Sequence, residues 1–137
     1  MLSISDLNTI YLTRNDILEI HKRLVRESGG DPVVVFSGNL DLCVESPQLE
    51  IYGSEIHKTI PEKAASLLYA ILKLHPFLDG NKRTGFEASD VFLRLNGHIL
   101  KVDKMDAVDT CLKVADCSME MNQTVFWMKS RIKRRSA

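Results

Sequence analysis

Residues 61–75 read PEKAASLLYAILKLH and predict one long helix. Alanine, leucine and isoleucine side chains cover nearly its whole circumference, and a helix that is apolar on all sides is buried on all sides. Thr59 is placed to cap its N-terminus, and Pro61 is tolerated in its first turn. We therefore expect a helix at the centre of a bundle, carrying His75 from the core to the surface.

Shorter amphipathic segments lie on both sides of this central helix. Capping residues and helical apolar spacing predict further helices that begin after Thr13, near Leu40, near Asn81, at Asp103 and at Asn122. Gly29-Gly30 ends the first of them, and Asn96-Gly97 ends the one that begins near Asn81. The sequence thus predicts an all-α compact bundle of five to seven helices, with residues 1–137 in a single domain.

One segment does not fit a helix. Residues 33–36 are β-branched or aromatic, and the Ser-Gly-Asn that follows them is typical of a turn. We expect a short β-hairpin flap in this region, between Asp31 and Pro47.

The composition excludes several classes of protein. With 45% hydrophobic and 26% charged residues, the 137-residue chain has the composition of a globular domain. Its formal net charge of zero gives no general attraction to nucleic acid or to anionic membranes. No apolar run approaches the roughly 20 residues of a membrane-spanning helix, and the N-terminus lacks a signal-peptide pattern. Cys43, Cys111 and Cys117 form no CxxC pair, so we expect small buried thiols in a reducing compartment and a cytoplasmic protein.

The central helix runs directly into HPFLDGNKR, residues 75–83. Because a second helix is predicted to begin near Asn81, its first N–H groups and the positive end of its dipole face outward at this junction. Such a terminus binds phosphate, and Gly80 lets a ligand approach the backbone closely. The Asn81 amide adds a donor, while Lys82 and Arg83 add two positive charges that can hold phosphoryl oxygens.

Two further side chains of this motif suit a reaction on a nucleotide. The Asp79 carboxylate lies beside the predicted phosphate site, where Mg²⁺ takes one or two carboxylates together with phosphate oxygens and water. A neutral His75 imidazole can accept the proton of an incoming hydroxyl. Phe77 is expected to point into the core and anchor the loop. The motif therefore suggests phosphoryl or nucleotidyl transfer from a nucleoside triphosphate.

Each residue of this motif could also have a purely structural role, but a different role is needed for each one. His75 alone would be a helix-end residue, and Asp79 alone would be a turn or capping residue. Lys82 and Arg83 alone would be solvated charges, but cations in a first helical turn oppose the helix dipole and do not stabilise it. A functional site explains the whole set, and we favour it. His21, His57 and His98 show no metal-ligand spacing and are expected at the surface or at contacts with a partner.

The segment HPFLDGNKRTG resembles the signature of the Fic/Doc family, HxFx(D/E)GN(G/K)R, most closely in its death-on-curing (Doc) branch. His75, Phe77, Asp79, Gly80, Asn81 and Arg83 all fall at the spacing of the motif. The resemblance implies an all-α fold with a β-hairpin flap, and modification of a protein hydroxyl with ATP and Mg²⁺. It further implies His75 as the catalytic base, Asp79 as the metal ligand, and Gly80, Asn81, Lys82 and Arg83 at the nucleotide.

Two positions depart from the Fic pattern. Lys82 replaces a glycine, and Phe86 stands where Fic enzymes have a second arginine. In the Doc branch these changes accompany a reversed nucleotide, with the γ-phosphate toward the histidine, and phosphorylation of a translation elongation factor. We therefore expect a Doc-type toxin that phosphorylates a Ser or Thr hydroxyl of a protein target. Fic-type transfer of AMP is the alternative.

The resemblance also bears on regulation. No glutamate of the chain is followed by Gly or Asn, so the [ST]xxxE[GN] inhibitory helix of many Fic proteins is absent from the sequence. A separate antitoxin of the Phd-like type is therefore expected. An alternative of another class is a non-catalytic helical module that binds nucleic acid through a basic C-terminal helix. Its cations would be Lys129, Arg131, Lys133, Arg134 and Arg135. A solvated, frayed helix end explains the same residues more simply.

Overall fold

The computed structural model of the chain describes residues 8–135. Six α-helices lie wholly within that range: α1 Arg14–Ser28, α2 Ser37–Glu45, α3 Ile60–Leu74, α4 Asn81–Leu95, α5 Lys104–Ala115 and α6 Met121–Ser130. Two small antiparallel sheets accompany them, formed by β1 Glu50–Ile51 with β2 Ser54–Glu55, and by β3 His98–Leu100 with β4 Ile132–Arg134. The all-α bundle with a short hairpin is confirmed.

The central helix is α3, as the apolar segment predicts. Its Ala64, Ala65, Leu67, Leu68, Ile71 and Leu72 side chains are all buried, and the helix packs against α2, α4, α5 and α6. The Thr59 hydroxyl accepts a hydrogen bond from the backbone N–H of Glu62 at 3.3 Å, so the predicted N-cap is present. Burial on every face fixes the direction of α3, and therefore the position at which its C-terminus reaches the surface.

A buried ion pair joins the hairpin to α3. Lys63 is 1% exposed, and its ammonium donates to the Glu55 carboxylate at 2.9 Å and to the Pro47 carbonyl at 3.1 Å. Breaking such a pair is costly, because the remaining buried charge loses its partner. The hairpin is therefore attached to the central helix by a specific contact and not only by packing.

The caps of two other helices also agree with the sequence. Thr13 and Asp16 form a reciprocal capping box at the start of α1, with hydrogen bonds of 3.1 and 2.8 Å. Asp103 caps α5 by accepting from the Asp106 N–H at 2.8 Å. The last helix differs, because Glu120 and not Asn122 is its N-cap.

The hairpin lies at a different place in the chain from the predicted one. Val34 forms an isolated antiparallel bridge with Phe77, and its neighbours bond to the loop after α3. The Val35 and Phe36 N–H groups donate to the Pro76 carbonyl, and the Leu78 N–H donates to the Val33 carbonyl. The predicted turn after residue 36 is instead the first turn of α2. The expected hairpin between Asp31 and Pro47 is therefore wrong.

The observed hairpin connects β1 to β2 through Tyr52 and Gly53, whose φ angles are 51° and 79°. Positive φ at both central residues is the conformation that fits the twist of a two-residue hairpin. In residues 33–36 only Val34 is half-buried, and Val33, Val35 and Phe36 are exposed, so β propensity did not identify the strand partner and misplaced the hairpin.

The basic C-terminal end is not a helix. α6 ends at Ser130, and Ile132–Arg134 pairs as β4 with β3. The Lys101 N–H donates to the Arg131 carbonyl at 2.7 Å, and the Arg131 guanidinium pairs with the Asp106 carboxylate. The predicted basic C-terminal helix is thus wrong, because a long-range β ladder takes up the backbone hydrogen bonds. Among the described helices, none has the length and apolar character needed to cross a bilayer.

Candidate active site

The loop between α3 and α4 begins with a residue in an uncommon conformation. His75 caps α3 with φ 43° and ψ 60°, and its N–H donates to the Ile71 carbonyl at 3.2 Å. Only a few per cent of non-glycine residues adopt positive φ, and histidine is among those that do so more often. This conformation turns the chain sharply out of the buried helix, and the His75 side chain is exposed.

The Asn81 side chain closes the loop. Its Oδ1 accepts from the Phe77 N–H at 3.1 Å, and its Nδ2 donates to the Phe77 carbonyl at 2.8 Å. Phe77 is 2% exposed and belongs to the core, which confirms its expected anchoring position. The Asn81 amide, predicted to contact phosphate, is therefore engaged with the loop itself.

The N-terminus of α4 opens toward solvent at the end of the loop. Gly80 is the N-cap with φ 79°, and the first ladder bond runs from the Thr84 N–H to the Gly80 carbonyl at 2.9 Å. The N–H groups of Asn81, Lys82 and Arg83 precede that bond, so no earlier turn of the helix can accept from them. They are the groups of α4 that can bind an anion.

All six predicted site residues line one pocket of about 430 Å³, together with Leu78. They are His75, Asp79, Gly80, Asn81, Lys82 and Arg83. The volume lies within the range of sites for small ligands. The structure therefore brings the imidazole, the carboxylate, the two cations and the helix N-terminus together, and their individual roles stay predictions.

The Asp79 carboxylate is the candidate metal ligand. It is exposed, and its Oδ2 accepts from the Asp31 N–H at 3.3 Å. Within residues 8–135, no group of three or more His, Cys, Asp and Glu side chains is arranged to hold an ion. One exposed carboxylate beside cationic groups fits Mg²⁺ that arrives with a nucleotide, because this ion keeps most of its coordination for phosphate and water.

His21 is the site-adjacent residue that the sequence interpretation missed. It was expected at the surface, but it is 1% exposed and its ring stacks on Phe77, with centroids 3.6 Å apart. Its Nε2 lies 2.7 Å from the Asp79 carbonyl oxygen. Burial lowers the pKa of His21, opposed by the hydrogen bond to Asp79 and by the charge of that residue. The signal was its spacing, because His21 follows Ile17 by four residues on the buried face of α1.

A second cavity, of about 560 Å³, lies beside the pocket and is named here the α1/α4/α5 groove. Its apolar lining comes from Leu24, Phe86, Val102, Ala107, Val108, Cys111 and Leu112. Lys82 and Arg83 line both the groove and the pocket. Phe86, at the position of the second Fic arginine, contributes to the groove and not to the pocket.

The cysteines offer no nucleophile at this site. Burial raises the pKa of Cys43 to about 12 and that of Cys111 to about 11, so both stay protonated at neutral pH. Cys117 is exposed, contrary to the expectation that all three thiols are buried.

Comparison with known proteins identifies the family of the chain. The model of the Fic/DOC family matches residues 11–93, which include α1, α3, the loop and most of α4. Toxin Doc of Mycolicibacterium smegmatis (strain ATCC 700084 / mc(2)155) is 34% identical over 116 residues, covering 82% of this chain and 87% of that protein. The chain belongs to the Fic/DOC family.

Proposed function

We propose that this protein is a Doc-type toxin that transfers phosphate from ATP to a Ser or Thr hydroxyl of a protein target. A translation elongation factor is the proposed target, and growth arrest is the proposed result. The observation that carries the proposal is the 430 Å³ pocket in which His75, Asp79 and the N-terminus of α4 meet. The similarity to Toxin Doc supports the toxin assignment.

The phosphate chain of ATP binds at the N-terminus of α4 in this proposal. The first N–H groups of the helix donate to phosphate oxygens, and Lys82 and Arg83 neutralise their charge. Asp79 would hold Mg²⁺, which supplies further charge neutralisation on the phosphates when it is bound. Asn81 keeps the loop closed through its two hydrogen bonds to Phe77.

His75 acts on the acceptor. Its exposed imidazole takes the proton of the target hydroxyl, the hydroxyl oxygen forms a bond to the γ-phosphorus, and the bond from that phosphorus to the β–γ bridging oxygen breaks. ADP leaves with the electron pair of the broken bond. Positioning and charge neutralisation supply most of the rate of such a transfer.

Phe86 favours phosphoryl transfer over AMP transfer. An arginine at this position would hold the terminal phosphate away from the reacting hydroxyl, whereas Phe86 carries no charge and lines the apolar groove. With ATP labelled at either the γ or the α phosphate, we expect the target to gain the γ label only. Intact mass should rise by about 80 Da for phosphate, against about 329 Da for AMP.

The labelling reaction has an internal control. A His75→Ala sample, run beside the native chain, should transfer neither label. Transfer of the α label alone would replace the phosphorylation proposal with AMP transfer.

The α1/α4/α5 groove is the proposed binding surface of an antitoxin. It is apolar, and Val108 and Leu112 along it are about half exposed. An amphipathic helix would fill the groove with its apolar face. Acidic residues on the rim of that helix would face Lys82, Arg83 and Lys104, and basic ones would face Glu87 and Asp103. Because Lys82 and Arg83 also line the pocket, a ligand in the groove would compete for the groups that hold phosphate.

Replacing Leu112 with Glu should weaken binding of a Phd-like antitoxin at least tenfold, because a buried, unpaired carboxylate would oppose docking. Titration calorimetry with a Phd-like antitoxin measures the loss. Leu42→Glu is the matched control, since Leu42 is 51% exposed, Leu112 is 49% exposed, and Leu42 lies outside the groove. Equal affinities of the two variants would place the antitoxin elsewhere.

A further inference from the structure

A buried histidine lies directly under the candidate active-site loop. His21 on α1 makes two contacts with it: a stack on the Phe77 ring and a hydrogen bond to the Asp79 carbonyl. We propose that His21 is a positioning residue that sets the direction of the Asp79 carboxylate and the N-terminus of α4 for magnesium–nucleotide binding. This inference rests on the proposed function.

The hydrogen bond fixes the tautomer of the imidazole. Nε2 lies 2.7 Å from the Asp79 carbonyl oxygen, and a carbonyl oxygen can only accept. Nε2 therefore carries a proton and donates it. A buried donor at this distance holds the carbonyl, and with it the peptide plane between Asp79 and Gly80, in one orientation.

The stack fixes a second point of the loop. The His21 and Phe77 rings are nearly parallel, at 9°, with 3.6 Å between their centroids. The Phe77 backbone is in turn held on both sides by Asn81. The loop is therefore attached to α1 at residue 77 and at residue 79. These two contacts restrict the backbone rotation of the residue between them.

The Asp79 side chain is held separately from the Asp79 carbonyl. The Asp31 N–H donates to the Asp79 carboxylate at 3.3 Å. Asp79 is thus held through its carbonyl by α1 and through its side chain by the segment after α1.

Filling the core does not require this residue type. A leucine or phenylalanine would occupy the same space without placing a polar group out of contact with water, which costs free energy unless the group is hydrogen-bonded. The polar edge of His21 faces the one loop whose geometry the reaction needs. Replacing a residue that holds a metal ligand in position through a hydrogen bond typically lowers metal affinity or activity by 10–100-fold.

Two substitutions separate the two contacts. His21→Phe keeps an aromatic ring against Phe77 and removes the donor, whereas His21→Gln keeps a donor near the position of Nε2 and removes the ring. For the positioning role, we expect His21→Phe to weaken Mg²⁺·ATP binding about 10–100-fold, and His21→Gln to restore it to within about fivefold of native. The loss should be much smaller for ATP in EDTA, because the Asp79 carboxylate contributes through the metal.

Calorimetric titration of the native chain and of both His21 variants, with Mg²⁺·ATP and with ATP in EDTA, measures these affinities. Met128→Ala is the control for general core damage, since Met128 is fully buried on α6 and lies outside the pocket. It should lower the melting temperature and leave the magnesium dependence unchanged. Binding by the native chain tests the proposed function, and its absence would overturn both proposals. If the native chain binds Mg²⁺·ATP and His21→Phe binds it equally well, with the same magnesium dependence, the positioning role alone is overturned.

A measurement on the native chain covers the case in which His21→Phe does not fold. The Nε2–H proton of His21 should give a downfield NMR signal that shifts on addition of Mg²⁺·ATP, because the loop it holds contacts the ligand. A signal that stays unchanged at saturating Mg²⁺·ATP would overturn the positioning role.

Discussion

Growth arrest is expected to disappear when His75 is replaced by alanine. The native chain, expressed without an antitoxin, should stop growth because its imidazole accepts the proton of the target hydroxyl. Without that base the transfer rate should fall by about 10²–10⁴-fold. The measurement is colony formation after induced expression, together with transfer of the γ label in purified samples.

The left-handed conformation of His75 calls for a second variant. At φ 43° the native histidine already bears the cost of a left-handed residue, and asparagine adopts this conformation more readily than alanine. His75→Asn should therefore be equally inactive with a smaller loss of stability, which thermal unfolding measures. His57→Ala is the matched control, because this half-buried histidine lies outside the pocket, and it should still arrest growth. Arrest by His75→Asn at the native level would rule out His75 as the base.

The second large effect is expected for Gly80→Ala. The φ angle of 79° disfavours any Cβ by about 1–2 kcal/mol. In addition, the new atom would lie 3.0 Å from Cγ1 of Val25, so the Val25 side chain or the loop must move by a few tenths of an ångström. The strained backbone and this contact both act at the N-cap of α4, whose first N–H groups are proposed to bind phosphate. We expect weaker Mg²⁺·ATP binding, measured by calorimetry, and a lower melting temperature.

Two comparisons separate the contributions of strain and contact. Gly29 has nearly the same conformation, φ 83°, with no atom within 4 Å of a Cβ, so Gly29→Ala should show the backbone cost alone. Adding Val25→Ala to Gly80→Ala removes the contacted Cγ1 and should recover part of the nucleotide affinity. The coupling of the two substitutions is given by a double-mutant cycle. A double variant no better than Gly80→Ala would show that the contact with Val25 does not decide the geometry of the loop.

The proximity of the main site residues could be predicted from the sequence. His75, Asp79 and the start of α4 lie within nine consecutive residues, so their proximity follows from chain connectivity and from the helix boundaries. The hydrogen-bond partner of Asn81 could not be predicted from the sequence, because its amide can bond equally well to a bound phosphate and to the backbone of Phe77. The contact of His21 with Asp79 could not be read from local sequence, because 58 residues separate the two positions.

The order of helices was available from the amino acids alone. The apolar circumference of α3, the Thr13 and Thr59 caps and the glycine after α1 act within a few residues, and hydrogen bonding and burial at that range depend on local sequence. The strand pairings did not follow from local sequence. Val34 bridges to Phe77, and β3 pairs with β4, across long chain separations. Such pairings form only after packing has brought the segments together, so the bridge at Val34, the C-terminal strand and the support of His21 for Asp79 belong to the tertiary structure.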